Sequence, residues 1–262
     1  MDLTGATALV TGANRGIGRA LVERLAREPL KLVLAGVRSP ERFEPIASSS
    51  GEVRPVRMDL SSQASIDECC DALGEDLRHV DLLVNNAGLM TGGLLEEQQM
   101  DEVYAMFQVN LAAVAHLTHR VLPSMVERGS GKVVNNASIS GYAWFPAATT
   151  YAASKAGVVA LTQSLRRELR DTGVTTLQLV TPGVDTDMLD ATEDVYGRHM
   201  DTSAWDKVSP DDWADRVLGA IRDDRDVLGP GGKTRLAVLA SHGPARLLDA
   251  ASARMFSRRP RR

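Results

Sequence analysis

The apolar positions of this chain follow two different patterns. Short runs rich in Val, Leu and Ile are continuous rather than alternating, which is typical of parallel strands buried on both faces. Between them lie longer stretches with apolar residues every three or four positions, the spacing of a helix that packs one face on a sheet. The predicted strands are Ala6–Thr11, Lys31–Val37, Val53–Met58, Val80–Asn85, Lys132–Asn136, Thr175–Val180 and a weak Asp226–Leu228. This order predicts an α/β fold with a doubly wound, seven-stranded parallel sheet (Rossmann fold).

Capping residues and proline mark the starts of the intervening helices. A serine before an apolar-periodic stretch accepts hydrogen bonds from first-turn amides, and proline is favoured at the first helical position. The predicted helices open near Gly16, after Ser61 and Ser62 and after Ser209-Pro210, and cover about Asp101–Arg128 and Tyr151–Thr172.

Length and composition are those of one large domain. The chain has 262 residues, of which 44% are apolar and 24% charged, enough for one well-buried core. No apolar run reaches the roughly 18 residues that a membrane span needs, and the N-terminus leaves no room for a signal peptide. The adjacent Cys69 and Cys70 would make a strained disulfide, which suits a reducing compartment. We expect a cytoplasmic protein whose residues 1–232 form one catalytic domain.

Charge is distributed unevenly along the chain. Residues 233–262 carry eight Lys and Arg against Asp249 alone, so this extension is about +7 while the whole chain is −4. Its apolar residues between Ala245 and Phe256 fall on one helical stripe. Such a basic stripe can lie on an anionic membrane, but packing on its own domain or on a partner subunit is the commoner use. We therefore favour packing, with membrane association as the lesser alternative and no nucleic-acid binding.

A glycine-rich segment, TGANRGIG, runs from Thr11 to Gly18 directly between the first strand and the first helix. In that setting glycines let a pyrophosphate approach the backbone amides of a helix N-terminus. Arg15 precedes the helix, where the macrodipole disfavours a cation unless an anion lies nearby. The alternative is a tight turn that holds no ligand. The residues expected to contact a dinucleotide here are Gly12, Asn14, Arg15, Gly16, Ile17 and Gly18.

Tyr151 and Lys155 lie four residues apart on a predicted helix and therefore share one face. The spacing alone is weak evidence, but further polar motifs follow neighbouring strands. They are Asn85-Asn86-Ala87-Gly88 after the fourth strand, Asn110 in the next helix, and Asn136-Ala137-Ser138 after the fifth strand. Open α/β sheets bind ligands at the carboxyl ends of their strands, so these motifs predict one site.

This ordered set, from Thr11 to about Met188, resembles the short-chain dehydrogenase/reductase family in motif identity, order and spacing, over roughly the first 230 residues. The resemblance implies that Tyr151 exchanges a proton with the substrate oxygen and that Ser138 hydrogen-bonds this oxygen. It implies that Lys155 binds the nicotinamide ribose and that Asn110 holds a proton-relay water. The further cofactor contacts that it implies are Asp59, Leu60, Asn86, Ala87, Gly88, Pro182, Gly183 and Thr186, with one residue fewer than the family pattern before Thr186.

The end of the second strand bears on the choice of cofactor. NAD-dependent relatives place an acidic residue there for the ribose hydroxyls, whereas this chain reads Gly36-Val37-Arg38, with no carboxylate before Glu41. A carboxylate would repel a 2′-phosphate, while Arg38 and Arg15 can clamp it. NADP(H) is therefore favoured over NAD(H), the alternative being two solvated surface arginines.

Proton transfer by tyrosine needs a suitable environment. The free phenol has a pKa near ~10, and a lysine ammonium one helical turn away favours the phenolate. Ser138 would donate a hydrogen bond where charge develops on the substrate oxygen. Residues about 187–205 occupy the place of a substrate lid in this family, with apolar anchors such as Met200 and Trp205, although a mobile surface loop is the alternative. His116 and His119 have helical metal-ligand spacing without a matching third ligand, so no metal is expected.

The sequence thus predicts an NADP(H)-dependent oxidoreductase that interconverts an alcohol and a ketone or aldehyde. Its partner is a small-molecule carbonyl or alcohol, and relatives of this kind assemble as homodimers or homotetramers. The competing hypothesis is a catalytically silent NADP(H)-binding sensor or scaffold, against which the intact set of Asn110, Ser138, Tyr151 and Lys155 argues.

Overall fold

A computed structural model describes residues 1–199 and 207–230 of the chain. Residues 200–205 of the predicted lid, with Met200 and Trp205, and the basic extension 233–262 lie outside the described residues. In the described part, seven parallel strands form one sheet in the order β3-β2-β1-β4-β5-β6-β9. The strands of this sheet are β1 (Thr7–Thr11), β2 (Leu32–Val37), β3 (Glu52–Arg57), β4 (Val80–Asn85), β5 (Gly131–Asn136), β6 (Val174–Leu179) and β9 (Val227–Leu228). A separate parallel pair joins β7 (Gly183–Val184) to β8 (Lys207–Val208). The predicted fold class is confirmed.

Helices cover both faces of the sheet. They are α1 (Gly16–Leu25), α2 (Gln63–Leu73), α3 (Glu75–Arg78), α4 (Met100–Phe107), α5 (Ala113–Arg128), α6 (Thr149–Glu168), α7 (Asp187–Gly197) and α8 (Pro210–Arg222). The predicted caps form, since the side chain of Ser62 accepts from the amide of Ser65 and that of Ser209 from the amide of Asp212. The side-chain hydroxyl therefore fixes where α2 and α8 begin.

Two apolar layers sandwich the sheet. On one side α1 and α8 bury residues such as Leu21 and Trp213 against the strands. On the other side α2 and α5 bury residues such as Ile66 and Leu117. Because β1 and β4 are neighbours but their connections run to opposite sides, the sheet order reverses between them, which opens a crevice at the carboxyl ends of the strands.

The structure differs from the prediction at three elements. The helix predicted over Asp101–Arg128 is two helices, separated by a five-residue π-helical turn, Gln108–Ala112, that contains Asn110. The segment predicted as a lid loop begins with helix α7. The helix that carries Tyr151 starts at Thr149 and ends at Glu168, so it stops before Thr172. Propensity patterns do not show a π turn, because it changes hydrogen bonding without changing the apolar stripe.

Candidate active site

One large cavity lies at the carboxyl ends of the strands, with a volume of about 1190 Å³. This exceeds the roughly 300–1,000 Å³ of a pocket for one drug-sized ligand. It is lined by every residue that the sequence singled out for catalysis or cofactor binding except Asn110. The fold therefore assembles in one place side chains that are up to 174 residues apart, from Gly12 to Thr186.

The glycine-rich segment forms the floor of this cavity beneath the start of α1. Arg15 occupies the N-cap position in an extended conformation, and no side chain caps the helix, so its first amides face the cavity without a side-chain acceptor. A Cβ atom at Gly18 would lie 2.1 Å from the carbonyl oxygen of Gly12, which only glycine avoids. An uncapped helix N-terminus reached by bare backbone suits a pyrophosphate.

Cationic side chains line the end of the cavity beside β2. Arg38 is exposed there, and Arg15 lies in a 3.3 Å ion pair with Asp187 at the start of α7. Glu41, the first carboxylate after β2, pairs with Arg57 at 3.1 Å rather than facing the cavity alone. The sequence analysis missed Arg42, an exposed cavity-lining residue four positions after Arg38. Its only sequence signal was this spacing within a short helical turn.

Asp59 follows β3 at the same end of the cavity. Its carboxylate accepts from the amide of Ser61 at 3.0 Å and from the Ser61 hydroxyl at 2.7 Å. These hydrogen bonds, with a smaller contribution from the charge of Arg38, lower the pKa of Asp59 below its usual value. Asp59 is therefore an ionised acceptor held in a fixed position beside Leu60.

Tyr151 is buried on α6 and faces the cavity with Ser138, which follows β5. Burial raises the pKa of Tyr151 above its ordinary value, and a hydrogen bond with the side chain of Ser138 opposes this in part. This differs from the expectation that Lys155 would favour the phenolate. Removal of the phenol from water outweighs other influences here, so without ligand Tyr151 is a neutral hydroxyl, able to donate a proton.

Lys155 explains this difference by its own contacts. Its side chain is buried, and its Nζ donates to the main-chain oxygen of Asn136 at 2.8 Å. It lies 5.9 Å from the centre of the Tyr151 ring. Burial lowers the pKa of Lys155 from 10.5 to about 8. The ammonium is therefore costly to hold in this position and would gain from a polar ligand that reaches it.

The sequence analysis did not assign a role to the side chain of Asn136, which joins three strand ends. Its Nδ2 donates to the side-chain oxygen of Asn86 at 3.2 Å, and its Oδ1 accepts from the hydroxyl of Thr181 at 2.5 Å. Asn86 in turn donates to the main-chain oxygen of Thr11 at 3.0 Å. Asn136 thus connects the ends of β4, β5 and β6, and through Asn86 that of β1, while its main-chain oxygen holds Lys155.

Asn110 lies behind the cavity wall. Its Oδ1 accepts from the amide of Leu89 at 2.7 Å, and its Nδ2 donates to the Leu89 oxygen at 2.8 Å and to Ser154 at 3.1 Å. The side chain therefore fixes the loop after Gly88 and the helix of Tyr151. A relay water at this residue would have to bind the main chain of the π turn.

Pro182, Gly183 and Thr186 close the cavity over the glycine-rich segment. Gly183 belongs to β7, and the hydroxyl of Thr186 donates to the main-chain oxygen of Val184 at 3.2 Å. A Cβ atom at Gly16 would lie 3.2 Å from the methyl carbon of Thr186. Despite the shorter spacing in this chain, Thr186 reaches the cofactor side of the cavity.

Other titratable groups serve the fold. His116 lies 3.0 Å from a carboxylate oxygen of Asp67, and the described residues contain no group of three His, Cys, Asp or Glu side chains that could hold a metal ion. Cys69 and Cys70 are buried in α2 as free thiols. Within the described residues, none of the helices is long and apolar enough to cross a membrane.

Comparison with known proteins places the chain in a family. The model of the short chain dehydrogenase family matches residues 6–196. An uncharacterized oxidoreductase of Staphylococcus aureus (strain USA300) is 34% identical over 227 residues, which cover 86% of this chain and 94% of that protein. The chain belongs to the short-chain dehydrogenase/reductase family and is an oxidoreductase of that family.

Solved structures of the family share the fold. A short chain dehydrogenase from Burkholderia cenocepacia J2315 in complex with NADP has a TM-score of 0.81 at 25% identity, over 96% of this chain and 99% of that one. An alcohol dehydrogenase from the archaeon Thermococcus sibiricus, complexed with 5-hydroxy-NADP, has a TM-score of 0.74 at 28% identity, over 86% and 95%. Both neighbours therefore bind NADP or a derivative of it.

Proposed function

We propose that this protein is an NADP(H)-dependent oxidoreductase that interconverts an alcohol and a ketone or aldehyde, with Tyr151 as general acid and base. The observation that carries the proposal is the buried pairing of Tyr151 with Ser138 in the cavity that also holds the uncapped start of α1. A proton donor and an anion-binding helix end in one cavity support hydride transfer next to proton transfer.

The cofactor would lie along the strand ends and supply or accept the hydride. The start of α1, with Gly12, Asn14 and Gly16 to Gly18, would bind its pyrophosphate. Asp59 and Leu60 would hold the adenine, and Asn86, Ala87 and Gly88 would line the adjoining part of the cavity. Pro182, Gly183 and Thr186 would face the nicotinamide. These residues form one continuous lining, which supports a dinucleotide rather than a mononucleotide.

Arg38 and Arg15 support NADP(H) over NAD(H). Both line the cavity at the end of β2, where no carboxylate stands free because Glu41 pairs with Arg57. A 2′-phosphate would compete with Asp187 for Arg15, since the guanidinium is exposed in this ion pair. Arginine forks bind phosphate with two parallel hydrogen bonds, which gives the discrimination a geometric basis.

During reduction, neutral Tyr151 would donate its proton to the carbonyl oxygen as negative charge develops there. Ser138 would donate a hydrogen bond to the same oxygen and so stabilise this charge. Lys155 would hold the nicotinamide ribose, and its charge beside the ring of Tyr151 would then stabilise the phenolate that proton donation leaves. Oxidation of an alcohol would use the same groups in reverse.

The test is NADPH oxidation by purified protein with a panel of ketones and aldehydes. Tyr151→Phe should abolish turnover, a loss of at least 10³-fold, while NADPH binding measured by fluorescence changes less than threefold, because only the proton donor is removed. Trp144→Ala is a matched control, since this neighbouring aromatic residue is exposed and does not line the cavity. Tight NADPH binding without turnover of any compound would instead favour a sensor or scaffold.

Assembly and location remain predictions. A homodimer or homotetramer through α5 and α6 is expected for this family and can be measured by light scattering of the full chain. A cytoplasmic location can be checked by fractionation of cells that express it.

A further inference from the structure

An apolar cluster adjoins the proposed proton donor. Buried Ala147, Ala148 and Tyr196 pack with partly buried Met90 and Phe145. Four of these residues, Met90, Phe145, Ala148 and Tyr196, line the same cavity as Tyr151 and Ser138, and we call them the apolar wall. Ala148 precedes α6 by one residue, and Tyr151 lies in the first turn of that helix, so the wall begins one helical turn from the reacting group.

The wall is held by hydrogen bonds between two segments of backbone. The amide of Gly93 donates to the main-chain oxygen of Ala147 at 2.9 Å. The side chain of Gln98 accepts from the hydroxyl of Thr150 at 2.6 Å and donates to the main-chain oxygen of Gly93 at 3.0 Å. Ala147 adopts a left-handed conformation with φ of 63°, which costs a residue with a Cβ atom and marks an imposed turn. Such a wall can select a ligand by shape.

Tyr196 brings the lid helix α7 into this wall. Its side chain is completely buried, and its hydroxyl donates to the main-chain oxygen of Thr91 at 3.2 Å. A Cβ atom at Gly92 would lie 2.8 Å from Cε1 of the ring, so the ring packs directly on the glycine backbone. Burial, with a smaller effect of nearby Tyr151, raises the pKa of Tyr196, so this residue adds no charge at neutral pH.

The charged side chains of the cavity lie elsewhere. Arg15, Arg38 and Arg42 stand at the proposed phosphate end, and Lys155 already donates to Asn136. The wall itself consists of methionine, phenylalanine, alanine and a neutral tyrosine. A charged substituent against it would lose its hydration without gaining an opposite charge, whereas an apolar group would gain by leaving water.

We propose that the apolar wall binds the non-reacting substituent of an uncharged ketone or aldehyde that is apolar or aromatic, and that Tyr196 is the residue that limits its size. This inference rests on the proposed function, since it requires Tyr151 to act on the carbonyl. Edge or face contacts with Tyr196 and Phe145 favour an aryl group in particular.

The test compares carbonyl compounds that differ only in charge or bulk. Acetophenones with a methyl ester at the ring's 3- or 4-position should be reduced with kcat/KM at least 100-fold above that of the same compounds with a free carboxylate. Equal or better turnover of the carboxylates would overturn the inference. If they are turned over and Tyr151→Phe abolishes that activity, the proposed function stands and this inference alone fails.

Variants test the role of Tyr196. Tyr196→Ala should raise kcat/KM for 4-phenylacetophenone relative to acetophenone at least tenfold, mainly through KM, while Trp144→Ala leaves that ratio within twofold of the parent. An unchanged ratio in Tyr196→Ala would refute its role. If melting curves show that Tyr196→Ala does not fold, half-buried Phe145→Ala replaces it with the same expectation. Should no ketone be turned over, the esters must still raise the melting temperature of the protein–NADPH complex more than the carboxylates do, or the inference fails.

Discussion

The buried ammonium of Lys155 should make the protein less stable than it could be. Its pKa falls from 10.5 to about 8 because of burial. At about 1.4 kcal/mol per pKa unit, this corresponds to about 3 kcal/mol of destabilisation of the folded state below pH 8. Lys155→Met removes the charge at similar side-chain length but leaves the main-chain oxygen of Asn136 without its donor, a loss of about 1 kcal/mol. The variant should therefore be about 2 kcal/mol more stable at pH 7, although it loses activity.

This gain should depend on pH in a defined direction. Between pH 8 and 10.5 the unfolded chain still carries a proton on Lys155 that the folded chain has lost. The free energy of unfolding of the parent therefore rises with pH over this window, whereas that of Lys155→Met lacks this contribution. The difference between the two should shrink from about 2 kcal/mol at pH 7 toward zero or below by pH 10.5. Urea unfolding without cofactor at both pH values measures it.

Lys132 provides a matched control. It is buried in the same sheet, but its Nζ lies 2.7 Å from a carboxylate oxygen of Asp224. Lys132→Met removes one member of an ion pair and should lower stability at pH 7, the opposite sign. If both lysine variants lose stability at pH 7, or if the gain in Lys155→Met does not change with pH, the argument from burial of an unpaired ammonium is refuted.

Three further results are expected. Arg15→Ala/Arg38→Ala should raise the Kd for NADPH about 100-fold, from the loss of about 1–2 kcal/mol per arginine–phosphate contact, and leave NADH within threefold; fluorescence titration with exposed Arg27→Ala as control measures this, and equal losses for both cofactors would contradict it. Asn136→Ala should cost about 1–3 kcal/mol in urea unfolding and at least tenfold in kcat/KM, because Thr181 and Asn86 lose a buried partner; parent-like values would show that the strand ends hold their positions without it. Cys69 and Cys70, whose pKa values burial raises to about 11 and about 12, should resist iodoacetamide at pH 8 until the protein is unfolded, as mass spectrometry would show; rapid labelling of the native protein would place α2 differently.

Much of the fold followed from local pattern. Continuous apolar runs predicted all seven strands of the sheet, because a strand buried on both faces has no polar side to show. The glycine-rich segment was recognisable because backbone approach to a phosphate restricts residue type, as the 2.1 Å that would separate a Cβ atom at Gly18 from the Gly12 oxygen illustrates. The caps at Ser62 and Ser209 were equally local, since a cap involves residues three apart.

What the sequence alone could not provide depends on contacts between distant segments. The role of the Asn136 side chain arises only where the ends of several strands meet, and Tyr196 enters the site only because α7 packs on Gly92, about a hundred residues earlier. Lys155 illustrates the same point for charge: its position relative to Tyr151 follows from helical spacing, but its pKa depends on burial, which the tertiary structure decides. Residue type and spacing determined the candidate chemistry, while desolvation and long-range packing determined which groups are charged, which are held in place and which face the substrate.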